Sequence, residues 1–276
     1  MSNLTEHLNS LEVAPNTLIL LGLGQMGVAL KGPDSVIYID PYLTDSDDVG
    51  GKLERNFPPP LEPSEVTNAG LVLCSHNHID HFDPCTLEPL SQASLEAKIA
   101  APFSCDLSFL KPERRIEARA FKSFMHGSAR ITPVPSAHTE LERVERGYPY
   151  LGFVLEWNGV TLYHSGDTLV YERHGDTPGL LETLSNWKFD AAFLPINGCD
   201  EERTKAGLVG NMDGRKALEL AGTLDIKVLF PGHFDLFAFN AADPQEFAAL
   251  AQQEYPARAF RFLKPGDVFV LEGRAP

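Results

Sequence analysis

The sequence predicts an α+β fold in which two mixed β-sheets pack face to face with helices outside. Three observations carry this. Strand-like segments follow one another in consecutive runs, at 17–40 and again at 117–164, without the steady alternation of strand and helix that a doubly wound parallel sheet needs. Helical segments fall between and after those runs. Asn158-Gly159 separates the apolar runs 151–157 and 160–164, the strongest short-range signal for a hairpin.

Taken in order, 17–21 and 27–31 read as two strands joined by Gly22-Leu23-Gly24-Gln25. A third, at 35–40, ends in Asp40-Pro41-Tyr42, where proline stops the ladder. The segment from Asp45 to Pro60 is acidic and then proline-rich. It reads as a loop long enough to act as a lid. Gly70-Leu71-Val72-Leu73-Cys74 is an apolar run with the character of a buried strand. Asp83-Pro84 caps and starts a helix that runs to about Ala93. A short strand is expected at 98–101, a short helix at 105–110, and half-buried strands at 117–124 and 129–135. After the hairpin come helices at 178–187, 213–221 and 244–254. Strands at 189–196 and 226–230 lie among them, and two short strands flank Lys264-Pro265-Gly266-Asp267.

No linker or repeat divides the 276 residues, so one domain over 1–276 is expected. A formal charge of −15 and a pI near 5.0 argue against nucleic acid and against anionic membranes as partners. The four cysteines are scattered, with no C-x-x-C, and Cys74 reads as a core residue. No signal peptide and no membrane-length apolar run is visible, which points to a cytoplasmic protein without membrane insertion. No exposed apolar interface can be isolated, so a homo-oligomer is left open.

The chemistry is concentrated in His76-Asn77-His78-Ile79-Asp80-His81, directly after the apolar strand. Three imidazoles and a carboxylate within six residues have no packing rationale but an immediate coordination one. H-x-H-x-D-H after a strand resembles the metallo-β-lactamase superfamily. That resemblance implies a four-layer αβ/βα sandwich with metals at one edge of the sheets. Further candidates follow strands in order: His138 after 133–137, Asp167 after Tyr163-His164-Ser165-Gly166, and His233 after Phe230-Pro231-Gly232. Singly, His138 reads as a loop residue, Asp167 as a turn residue and His233 as a capping or core residue. Together they complete a ligand set. By resemblance His76, His78 and His138 hold one ion, Asp80, His81 and His233 a second, and Asp167 bridges both.

Two divalent ions lower the pKa of a shared water and polarise the electrophile, and Asp80 and Asp167 are candidates to relay a proton. Histidine-rich ligation suits zinc, while the carboxylates admit manganese and also iron. The segments at 163–168, 195–198, 210–212 and 231–237 resemble the L-ascorbate-6-phosphate lactonase (UlaG-like) branch, which implies a small-molecule lactone or ester as substrate. His138 and the shorter chain set this sequence apart from that lactonase itself. His164, Asn197, Asn211 and Met212 are candidates for outer-shell or pocket positions, with core packing the plainer reading for Met212. Arg203 is a candidate for gripping a substrate phosphate, with a solvated turn as its plainer reading. Two alternatives stay open. One is a phosphodiesterase like N-acylphosphatidylethanolamine phospholipase D, which shares a close form of Ser75-His76-Asn77-His78. The other is a non-catalytic metal-binding protein.

Overall fold

A computed structural model describes residues 4–46 and 53–274. The first half of the chain comprises α1 (Leu4–Ser10), β1 (Thr17–Gly24), β2 (Gly27–Lys31), β3 (Val36–Ile39), β4 (Leu71–Leu73), α2 (Pro84–Ala93), β5 (Lys98–Ala101) and β6 (Arg115–Glu117). Next come β7 (Phe124–His126), β8 (Ala129–Pro135), β9 (Leu151–Trp157) and β10 (Val160–His164). The last part holds α3 (Leu180–Leu184), β11 (Ala191–Pro195), α4 (Glu201–Lys205), α5 (Gly214–Thr223), β12 (Val228–Gly232), α6 (Pro244–Glu254), β13 (Ala259–Phe260) and β14 (Val268–Glu272).

Two seven-stranded sheets form, ordered β14-β1-β2-β3-β4-β5-β6 and β13-β12-β11-β10-β9-β8-β7. Both share one pattern. β14, β1, β2 and β3 pair antiparallel, and so do β7 to β10; β3 to β6 and β10 to β13 then pair parallel. Strand periodicity divides the apolar side chains between faces. Leu18 and Leu20 join Phe153, Leu155 and Phe230 in the core between the sheets, whereas Ile19 and Leu21 pack with Leu8 of α1 and Leu87 of α2. On the outer face of the second sheet, Leu180, Leu218 and Phe247 bring α3, α5 and α6 onto Val154, Tyr163 and Leu194. The result is the expected four-layer order of helix, sheet, sheet and helix.

Local chemistry explains most boundaries. Asn158 and Gly159 both have positive φ (48° and 77°), as a type I′ hairpin turn requires. Asp83 caps α2 by accepting from Cys85 N, with Pro84 at the first helical position. Asp213 and Asp243 cap α5 and α6 in the same way.

The structure departs from these expectations at 105–110 and at 117–124, and adds an element before residue 17. Residues 105–110 form turns and no helix, because the Asp106 carboxylate accepts from Ser108 N and Ser108 Oγ and offers the backbone a local alternative. The strand expected at 117–124 is divided: β6 ends the first sheet at Glu117, the chain turns through Phe121 (φ 64°), and β7 begins the second sheet at Phe124. The polar N-terminal segment carries α1, held by Lys31 Nζ, which donates to the carbonyls of Leu8, Asn9 and Leu11. Part of the expected lid, residues 47–52, lies outside the described residues.

Candidate metal centre

The candidate donors sit where strands end. Beyond β4 the chain wraps into one tight turn, in which His78 O accepts from His81 N (3.0 Å) and Phe82 N (2.8 Å). That winding gathers His76, His78, Asp80 and His81 into one volume. Asp83 anchors the turn from behind, accepting from Thr44 Oγ1 and Ser46 Oγ as well as capping α2. His138 follows β8, Asp167 follows β10 and His233 follows β12. Gly166 turns the chain toward Asp167 with φ 56°, and a Cβ there would come within 2.6 Å of Ser75 Cβ, so only glycine fits. His233 itself is left-handed (φ 57°), a strained conformation for a residue with a side chain.

Donor atoms of His76, His78 and His138 lie within 4.8 Å of one another, as do those of Asp80, His81 and His233; His76, His81 and Asp167 form a third group that overlaps both. Asp167 lies between the two trios. Its Oδ2 is 3.4 Å from His138 Nε2 and 3.0 Å from His233 Nε2, and its Oδ1 is 3.2 Å from His81 Nε2. His76 Nε2, His81 Nε2 and Asp167 Oδ1 are buried without a hydrogen-bond partner among the described residues. Buried polar atoms are rarely left so, and a convergent set of imidazole nitrogens and carboxylate oxygens fits divalent cations.

A model of the family described as "Beta-lactamase superfamily domain" matches residues 36–234, which include all seven donors. The chain belongs to this β-lactamase superfamily. Among curated proteins, a metal-dependent hydrolase of Archaeoglobus fulgidus is 28% identical over 90% of this chain and 96% of its own. A metal-dependent hydrolase of Desulfitobacterium hafniense is 26% identical over 87% and 93%. Among solved structures, Igni18, a metallo hydrolase from Ignicoccus hospitalis, superposes with a TM-score of 0.67 at 21% identity, covering 94% of this chain and all of that one.

In this superfamily member the outer hydrogen bonds orient the donors. Asp40, at the end of β3 with φ 45°, is fully buried and accepts from Ser75 N (2.7 Å), Ser75 Oγ (2.7 Å) and His81 Nδ1 (2.8 Å). A carboxylate can only accept here, so Ser75 donates to it and its oxygen is left to accept from His76 Nδ1 at 2.9 Å. His138 Nδ1 donates to Gly210 O at 3.2 Å. In the neutral form of all three rings Nδ1 holds the proton and Nε2 faces the centre with its lone pair, the tautomer a metal requires.

Sequence reasoning missed Asp40, whose aspartate-proline pair reads as a strand stop. It also missed Gln25, whose Nε2 donates to Asp80 Oδ2 (2.7 Å) and lies 3.1 Å from His233 Nε2. Nothing in a glycine-rich turn signals that role. Gln25→Ala should loosen the ion held beside Asp80 and His233 by about 10–100-fold with the fold intact. Chelator competition beside circular dichroism measures both.

Of the other candidates, Asn211 donates to Asp167 Oδ2 at 2.9 Å and to Asn197 Oδ1 at 3.2 Å. His164 touches no donor; its Nε2 donates to Met26 O, and its Nδ1 accepts from Gly166 N and steadies the turn before Asp167. Met212 packs its side chain into the core with Ile196 and Ala217, and its N donates to Thr168 O. Arg203 turns inward, donating to the carbonyls of Asn197 (2.6 Å) and Ala241 (2.7 Å).

Electrostatics divide the histidines. Burial pushes His76 and His138 down, His138 to about 4. Burial also opposes charge on His81 and His233, yet the neighbouring carboxylates outweigh it, Asp167 foremost. They hold His81 well above its ordinary value and His233 at about 9. Reciprocally, Asp167 and Asp80 stay below the usual carboxylate range despite burial, because His81 and His233 face them. A cation must therefore displace protons from His81 and His233. Metal uptake should release protons, and apparent affinity should rise with pH through the range in which His233, at about 9, and His81 lose theirs. Calorimetry in buffers of different ionisation enthalpy would show it.

Proposed function

We propose that the protein is a binuclear metal-dependent hydrolase acting on a small-molecule lactone or ester. The observation that carries this reading is Asp167, set between two trios of donors that include orphaned, buried ring nitrogens. His76, His78 and His138 would hold one ion, Asp80, His81 and His233 the other, and Asp167 both. Five imidazoles favour zinc, and the two carboxylates also admit manganese or iron. When bound, such a pair supplies an activated water and polarises the substrate's oxygen.

The chain's own groups do the rest. Asp40, Ser75 and Gly210 fix the ring tautomers. Gln25 and Asn211 hold the Asp80 and Asp167 carboxylates in place. Asp80, with its side chain 15% exposed against 3% for Asp167, is the ionised carboxylate placed to accept a proton from the attacking water and pass it to a departing alkoxide in the adjoining cavity. The metal-dependent hydrolases among the chain's curated relatives support the reaction class. The lactone reading rests on the resemblance of 163–168, 195–198, 210–212 and 231–237 to the UlaG-like branch.

The test is elemental analysis of never-chelated protein beside a panel of lactones, carboxylic esters and bis(p-nitrophenyl) phosphate. About two equivalents of a transition metal with lactone or ester turnover is expected. Diester turnover without lactone or ester turnover would overturn the substrate class, and a protein free of transition metal would overturn the whole reading.

A further inference from the structure

The cavity beside the donors, about 230 Å³, narrows the substrate further. Leu53, Ile79, Phe237 and Phe239 line it together with Leu208 and Val209 from the segment after α4. Phe237 and Phe239 stack at 5.3 Å between centroids, and Phe239 stays 51% exposed. Among the described residues no lysine or arginine lines this space, while Asp80 and Asp167 do. Arg203, the cationic candidate from the sequence, is committed to the Asn197 and Ala241 carbonyls.

The polar end of the cavity is neutral and has a direction. Asp167 can only accept, so Asn211 must present its amide nitrogen to it. Asn211 Nδ2 also meets Asn197 Oδ1, which turns Asn197 Nδ2 onto Asn240 Oδ1 at 3.0 Å. Asn240 lines the cavity, and this relay leaves its Nδ2 as a neutral donor there. A neutral donor and apolar walls favour an uncharged substituent there over a charged one.

The geometry points to an uncharged substrate whose carbonyl sits at the donors and whose alkyl or aryl substituent fills the space between Phe237, Phe239 and Ile79 on one side and Leu208 and Val209 on the other. This assignment rests on the binuclear hydrolase reading above and adds the substituent to it.

The test measures binding of n-alkyl hydroxamates, from aceto- to octanohydroxamate, to metal-replete protein by calorimetry, with phosphonoacetohydroxamate as the anionic probe. Each added methylene should tighten Kd about fourfold until the cavity is full. Phosphonoacetohydroxamate should bind more weakly than acetohydroxamate, and Phe239→Ala should make the chain-length series shallower. A flat series, or tighter binding of the phosphonate, overturns the assignment and leaves the hydrolase reading standing. A steep series in a protein that hydrolyses no lactone or ester keeps the apolar site and removes the reaction. Protein that takes up no metal removes both.

Discussion

Asp167→Ala should lower metal-dependent turnover by more than the roughly 100-fold that loss of an outer hydrogen-bond partner costs, and should cut bound metal below two equivalents. Asp167 lies within 3.4 Å of nitrogens from both trios, and the remaining six divide into two sets of three. The metal-free variant carries a second signature. Asp167 is the foremost carboxylate holding His81 and His233 protonated, so its loss should lower the His233 pKa from about 9 toward its ordinary value. Elemental analysis, turnover, and NMR titration of the metal-free protein measure the three effects. Unchanged metal content with wild-type turnover would remove Asp167 from the centre.

The second large effect is expected at Asp40. Its carboxylate is wholly buried and accepts three hydrogen bonds, two from Ser75 and one from His81. Asp40→Ala leaves those donors facing an apolar methyl. It should destabilise the protein by about 3–5 kcal/mol, the range for removing one partner of a buried charged pair. Metal affinity should fall about 10–100-fold as the His76 and His81 rings lose their orientation. Asp40→Asn separates the two effects. Asparagine tolerates the φ of 45° well, but its amide replaces one acceptor oxygen with a donor. It should therefore recover part of the stability and little of the metal affinity. Thermal unfolding of metal-free and metal-loaded forms would resolve the two losses.

What the sequence made legible follows from how each feature is built. The succession of strand segments along the chain, the hairpin at Asn158-Gly159 and the capped helix from Pro84 are local, so residue type specifies them. The seven candidate donors are legible because imidazoles and carboxylates recurring just past apolar runs have no packing purpose. Asp40 and Gln25 lacked that signal: each is a single polar residue in a turn that proline or glycine already accounts for. Their partners lie 35 and 55 residues away, at Ser75 and Asp80. The same distance problem hid the divided strand at 117–124, since the sequence does not mark a chain crossing between sheets. Residues 105–110 failed for the opposite reason, because a local Asp106–Ser108 hydrogen bond overrode helical spacing.

The pairing of β14 with β1, from Thr17 opposite Glu272 to Leu21 opposite Val268, sets a timetable for biogenesis. As the ribosome makes the chain, β1 emerges early, but its outer neighbour follows only about 250 residues later, roughly 10–50 s at ordinary translation speeds. Through that interval one flank of an almost wholly apolar strand stays without its mate, the kind of surface that aggregates and that chaperones cover. The second sheet draws all its strands from one contiguous stretch, β7 to β13, and can close while the first still waits. β14 begins at Val268, eight residues after β13 ends at Phe260, so the second sheet is complete just before the exposed edge of the first is covered.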